Sequence, residues 1–353
     1  MLFFLKCAAK VIGYFEICNI FAENFSKMDK IIGLGNALVD VLAPLKEDEM
    51  LQKMQLPKGG MTLIGEDKYH IISDIFKEMT VHQSTGGSAG NTIGALAALG
   101  VATGFIGKVG NDEKGSFYRH SLEKQGTEAH LLLSSELPSG VASTFISADG
   151  ERTFATYLGA AATLRAEELA LDMFKGCDYF YIEGYLVQDH ALILHAIELA
   201  KEAGLQICLD LASYNIVKED LDFFTLLINK YVDVLFANEE EAKAFTGKQA
   251  EEAIVEIAQM CSIAVVKLGA QGSLIRKGSD QIHVPACRVD SVVDTTGAGD
   301  YFAAGFLYGL TSGYALERCA HIGSVLSQAV IQVVGAELTE EKWIELRKQI
   351  ENL

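Results

Sequence analysis

The stretch Val289–Leu310 reads VDSVVDTTGAGDYFAAGFLYGL. Val292 and Val293 are expected to end a strand, Thr295 to Gly299 to form a tight loop of small residues, and Asp300 to start an apolar helix. Gly297 and Gly299 let the backbone turn its N–H groups into one concavity, and the helix N-terminus adds positive potential there. Together these features make a seat for phosphate. Asp300 by itself could be a helix cap. A cap, however, requires neither a Gly-Ala-Gly loop nor a second aspartate, Asp294, at the other end of DTTGAGD.

Outward from this loop, short β-rich runs alternate with helical patterns. IIGLGN, TGFIGKVG, DYFYIEGY, QICLDLA and DVLFAN read as strands, and DHALILHAIELAKEAG as an amphipathic helix closed by Gly204. SIAVVKLGAQGSLIR reads as strand, turn, strand. Strands alternating with helices of about 10–15 residues indicate βαβ units. Apolar runs such as VDVLF suit strands covered on both faces. The expected fold class is therefore α/β, a doubly wound and mostly parallel sheet flanked by helices. Two stretches break the rhythm: MTLIG, and VASTFISADGERTFATYLG with its Asp-Gly turn. They read as antiparallel strands of a small β lid, drawn from residues 42–65 and 140–160, of the kind that covers an active site.

Of 353 residues, 50% are hydrophobic and only four are proline, which describes a well-cored globular chain. The formal charge is −18, from 29 basic and 47 acidic residues. Such a surface repels nucleic acid and anionic lipid. The seven cysteines are odd in number and none shows C-x-x-C spacing, so neither a zinc site nor a disulfide framework is indicated. Buried thiols in a reducing cytoplasm fit. In residues 1–27, Lys6, Lys10 and Glu16 interrupt the apolar run, which falls short of the ~18 residues of a membrane span. That segment is taken as an extension outside the fold, and 28–353 as the folded domain.

Four further motifs converge on the phosphate loop. STGGSAGNTIGALAALG sets Gly87 and Asn91 where a glycine-rich turn enters a small-residue helix. GLGNALVD, with Asn36 and Asp40, departs from the dinucleotide fingerprint because Leu38 stands in place of its third glycine. NEEEA puts Asn238 and Glu241 on one helical face, although glutamates at a helix start are ordinarily a solvated cap. KLGAQGS carries Lys267, Gly269 and Gly272 and reads equally as a hairpin turn.

DTTGAGD resembles the C-terminal signature of the ribokinase-like, or PfkB, family of carbohydrate and nucleoside kinases, and the other motifs follow in that family's order from Met28 onward. The resemblance implies a ribokinase-like fold and transfer of the γ-phosphate of ATP. Asp300 would be the general base, with the backbone of Gly297, Ala298 and Gly299 as anion hole. Asn36, Asp40, Gly87 and Asn91 would bind the substrate, Asp40 accepting from a pair of hydroxyls. Asn238, Lys267, Gly269 and Gly272 would bind ATP, while Asn238 and Glu241 would hold Mg²⁺ largely through water. A monovalent cation such as K⁺ would sit near the backbone of Asp294 and Thr296. The stretch from His321 to Gly335 is longer than the family's usual pattern, which puts that cation in doubt.

Within the family, GNALVD, LPKGGMTLIGED and ERTFATYLGAA look most like adenosine kinase, with Leu38, Phe154 and Leu158 offering apolar surface to a base. A sugar kinase acting on ribose, fructose or a related compound is the alternative, and a non-catalytic nucleotide or sugar sensor stands further off. ATP and a small molecule are the expected partners, for a monomer or a homodimer.

Overall fold

The computed structural model describes residues 29–149 and 151–353. The proposed extension, residues 1–27, and Gly150 of the Asp-Gly turn lie outside the described residues. The strands are β1 Lys30–Leu34, β2 Leu38–Pro44, β3 Met61–Leu63, β4 His82–Gly86, β5 Ala102–Gly110, β6 Thr127–Ser134 and β7 Gly140–Ile146. They continue as β8 Arg152–Tyr157, β9 Tyr179–Glu183, β10 Gln206–Asp210, β11 Val234–Asn238, β12 Ile263–Lys267, β13 Ser273–Lys277 and β14 Asp280–Val284.

Nine strands form one sheet in the order β14-β13-β12-β11-β10-β9-β1-β5-β6. From β6 to β12 every pairing is parallel, and β13 and β14 close that edge antiparallel. The parallel strands are apolar on both sides, so successive residues feed two separate cores. Ile31, Tyr181 and Phe236 pack on one face, while Ile32, Ile182 and Leu235 pack on the other. This is what a continuous apolar strand requires when helices cover both faces.

The helices are α1 Glu49–Lys53, α2 Glu66–Lys77, α3 Ser88–Ala98, α4 Glu113–Lys124, α5 His190–Glu202 and α6 Tyr214–Glu219. They continue as α7 Leu221–Lys230, α8 Glu239–Thr246, α9 Ala250–Ile257, α10 Ala298–Thr311, α11 Leu316–Val330 and α12 Glu340–Glu351. Helices α3, α10 and α11 lie against one face of the large sheet, and α5, α7, α8 and α9 against the other. At the α10–α11 crossing Gly305 faces Gly323, and a Cβ on Gly305 would come within 2.7 Å of the Gly323 backbone. Missing side chains let these two helices pack at backbone distance.

The second sheet, in the order β3-β8-β7-β2-β4, is the lid. It is larger than the sequence indicates, because GLGNALVDVL breaks after Leu34 and sends Leu38–Pro44 into the lid, where His82–Gly86 joins it. The expectation of antiparallel strands holds for β7 and β8, whereas β3 pairs with β8 in parallel. Alternation divides the lid faces. Ala155 and Tyr157 are buried on the side of α2, where Tyr157 stacks on Tyr69 with ring centroids 4.6 Å apart. Arg152 and Phe154 point the other way, toward the large sheet.

One expectation about the opening stretch is corrected. Val292 and Val293 end no strand; the segment before α10 has no regular structure, and both side chains are about half exposed. It is anchored instead by the Val293 N–H donating to the Ile331 carbonyl at 2.8 Å.

Candidate active site

The chemistry gathers at the carboxyl ends of the parallel strands, where open α/β sheets bind ligands. Glu183 ends β9, Asp210 ends β10, Asn238 ends β11 and Lys267 ends β12, while β1 runs out into Gly35 and Asn36. Among the described residues a cleft of ≈ 1130 Å³ opens there. Asn91, Asn238, Glu241, Lys267, Gly269, Gly272 and the whole loop Thr295–Asp300 line it.

Gly297 caps α10 in the left-handed region, at φ 75°, and the helix begins at Ala298. Asp300 thus sits inside the first turn and not at the helix start. Its carboxylate is held on both oxygens: the Ser88 hydroxyl donates to Oδ1 at 2.7 Å and the Asn91 amide to Oδ2 at 2.8 Å. Burial raises the proton affinity of Asp300; these two hydrogen bonds lower it, Asp210 raises it and Lys267 lowers it, leaving a pKa of about 6. A carboxylate at that value is ionised at neutral pH and accepts a proton more readily than an ordinary aspartate.

The α3 N-terminus reaches Asp300 because of Gly87. Its φ is 84°, and a Cβ there would lie 2.1 Å from the Asn36 carbonyl oxygen. Only glycine allows that approach. Asn36 is buried, and its amide donates to Glu183 Oε1 at 2.7 Å, as does its backbone N–H at 2.8 Å. The Ala89 N–H donates to Glu183 Oε2 at 2.9 Å. Glu183 therefore ties β1 to the start of α3. Burial is the main reason its pKa is pushed up to about 7. Asp40 comes from the lid and is likewise pushed up to about 7, by burial first and then by Asp300 and Asp294. Asp40 lies within reach of the Asp300 charge and Gly87 precedes Ser88, which bonds Asp300, but neither these two nor Asn36 lines the cleft itself.

Asn238 and Glu241 bond to one another. The Asn238 N–H and amide donate to the Glu241 carboxylate, each at 2.7 Å, and the Glu241 N–H donates back to Asn238 Oδ1 at 2.9 Å. This is a reciprocal capping box on α8. Burial pushes Glu241 up to about 7, while the nearby Lys267 charge lowers it. Both Glu241 oxygens are taken, and no group of three or more His, Cys, Asp or Glu gathers in metal-ligand fashion among the described residues. The donor set fits a hard divalent ion that keeps its waters and meets the protein through them. Gly269 and Gly272 have φ of 53° and 98°, and a Cβ on Gly272 would lie 2.0 Å from the Val284 carbonyl oxygen.

Several residues of the site carry no motif. Glu183 and Asp210 are single charges ending apolar strands, and that position is the only sequence signal either gives. Ser88 sits inside the GG…N element without a role of its own. Arg152, on β8, forms an ion pair with Asp294 that links the lid to the phosphate loop. The Asp294 carboxylate also accepts from the Thr296 N–H at 3.0 Å and the Gly335 N–H at 2.8 Å.

A glycine-rich loop at a helix start, a buried carboxylate beside it and a second sheet tied to that loop by Arg152 are the parts a small-molecule kinase requires. The pfkB family carbohydrate kinase domain matches residues 61–343, and the chain belongs to that family. A probable sugar kinase from Rhizobium etli CFN 42 is similar at 33% identity and TM-score 0.82, over 92% of this chain and 99% of its own. Adenosine kinase from Sinorhizobium meliloti matches at 32% identity and TM-score 0.80, with the same two coverages. Adenosine kinase of Saccharomyces cerevisiae is 28% identical over 334 residues, 88% of this chain and 97% of its own length.

Proposed function

We propose that this kinase moves the γ-phosphate of ATP to a primary hydroxyl of an adenosine-like nucleoside. The observation that carries this reading is the inner face of the lid. Strand register sets Leu38 and Asp40 of β2, Phe154 of β8 and Met61 and Leu63 of β3 on the face that Arg152 turns toward Asp294. Met61 and Leu63 are 57% and 62% exposed. Apolar surface beside a carboxylate suits a ligand with a flat apolar base and a ribose, since one carboxylate can accept from two adjacent hydroxyls. A free sugar would use the carboxylate and leave the apolar residues idle.

Asp300 takes the proton of the attacking hydroxyl, and the N–H groups at 297–299 receive the transferring group. ATP occupies the cleft along Gly269 and Gly272. Asn238 and Glu241 would hold a hydrated Mg²⁺, which would neutralise phosphate charge. Excess chelator should therefore abolish turnover, and activity surviving in it would rule out the metal role of that pair. The substrate is tested by ADP release with adenosine, other nucleosides, ribose and fructose. Adenosine should exceed the free sugars in kcat/KM by at least ~10²-fold. A sugar turned over better than every nucleoside would replace this reading with that of a sugar kinase.

A further inference from the structure

Five acidic side chains line the cleft, Asp210, Glu239, Glu240, Glu241 and Asp300, against two basic ones, Lys267 and Arg288. A triphosphate entering it needs a cation where its charge changes most. Lys267 is placed for this. Its Nζ donates to Asp210 Oδ2 at 2.7 Å, and the two side chains are 14% and 6% exposed. A Cβ built on Gly299 would lie 3.1 Å from that Nζ, so the ammonium abuts the backbone of the phosphate loop. Paired with Asp210 and set against Gly299, the ammonium is a fixed cation at the loop that carries the proposed base.

Asp210 is itself held. Its Oδ1 accepts from the Ala212 N–H at 3.0 Å, and Ala212 has a φ of 62°. A non-glycine residue in that region is strained, and such strain concentrates at functional sites. Gly184 closes on the same turn, since a Cβ there would lie 2.6 Å from the Asp210 carbonyl oxygen.

We propose that Lys267 is a catalytic residue of the phosphoryl transfer, more than a nucleotide anchor, and that Asp210 positions it. This rests on the kinase site described above. In the step, the acceptor oxygen bonds to the γ-phosphorus and its proton passes to Asp300. The bond from that phosphorus to the bridging oxygen breaks, and its electron pair leaves with ADP. Lys267 donates to an oxygen of the transferring group as negative charge spreads over it. A cation already fixed by Asp210 needs no reorganisation at that moment.

The test compares binding of ADP with Mg²⁺, alone and with aluminium fluoride, a mimic of the phosphoryl in transit, by calorimetry. The binding measurements need no acceptor; turnover is read with adenosine. Fluoride should tighten ADP binding to the unaltered protein. Lys267→Met should weaken the fluoride complex ~10²-fold while holding ADP alone within ~3-fold. Asp210→Asn should weaken the fluoride complex ~10-fold and lower kcat with little change in the KM for ATP. The double variant Lys267→Met/Asp210→Asn removes both members of the ion pair, so that Asp210 is not left as an uncompensated charge, and should behave as Lys267→Met. Equal loss of ADP and fluoride binding would make Lys267 an anchor only, and an unchanged fluoride complex would remove it from the reaction. An unaltered protein that binds no ADP would instead overturn the kinase site on which the proposal stands.

Discussion

At Asp300, burial and the Asp210 charge raise proton affinity while Asn91, Ser88 and Lys267 lower it, and the balance is a pKa of about 6. A general base must be unprotonated to act, so kcat/KM should rise with pH through about 6 and level off above it. Asn91→Ala removes a donor that favours the ionised form, so it should move this acid limb to higher pH. A pH–rate profile of both proteins checks the direction, and an unmoved or lowered limb contradicts it. Asn91 also shows what geometry adds to a motif: its amide donates to Asp300, the proposed base. The motif identified the position because a helix entered through two glycines is unusual. Glu183 was not legible in the same way, since one carboxylate after YFYI looks like any strand end. Its role exists only because β9 lies next to β1 in the sheet.

Among the elements, the entry of α3 is the most constrained. Gly87→Ala would put a methyl 2.1 Å from the Asn36 carbonyl oxygen and force a φ of 84° on a residue that resists it. The start of α3 must then shift, carrying Ser88 and Asn91 away from Asp300. Activity should fall by at least ~10²-fold, because displacements of about 1 Å cost that much in a positioned site. A folded Gly87→Ala protein with near-normal turnover would show that α3 does not orient the base. The core strands and the loop into α10 follow from apolar runs and glycine needs, which are local. The parallel pairing of β3 with β8 does not, because strand partners far apart in sequence leave no periodicity to read. Val292 and Val293 misled for a similar reason: two β-branched residues suggest a strand, yet among the described residues no strand pairs with them.

For the whole molecule, the site collects negative charge in a buried place. Asp40, Glu183 and Glu241 reach about 7 and Asp300 about 6. A carboxyl whose pKa is raised by folding stabilises the folded state fully below its unfolded value, and that contribution is lost as pH rises through the folded value. The Tm of the ligand-free protein should therefore fall between about pH 5 and pH 8. A Tm that rises across that window would mean that these four groups do not govern the titration of stability. The Arg152–Asp294 ion pair joins the lid to the loop before α10 within this field. All of these features bear on the proposed role of Asp300 as general base. The most direct measurement is turnover by Asp300→Asn with ATP and adenosine, alongside binding of each ligand by calorimetry. Both ligands should bind nearly as tightly as before while kcat falls ~10²- to 10⁴-fold. An asparagine variant that turns over at close to the normal rate would contradict the account.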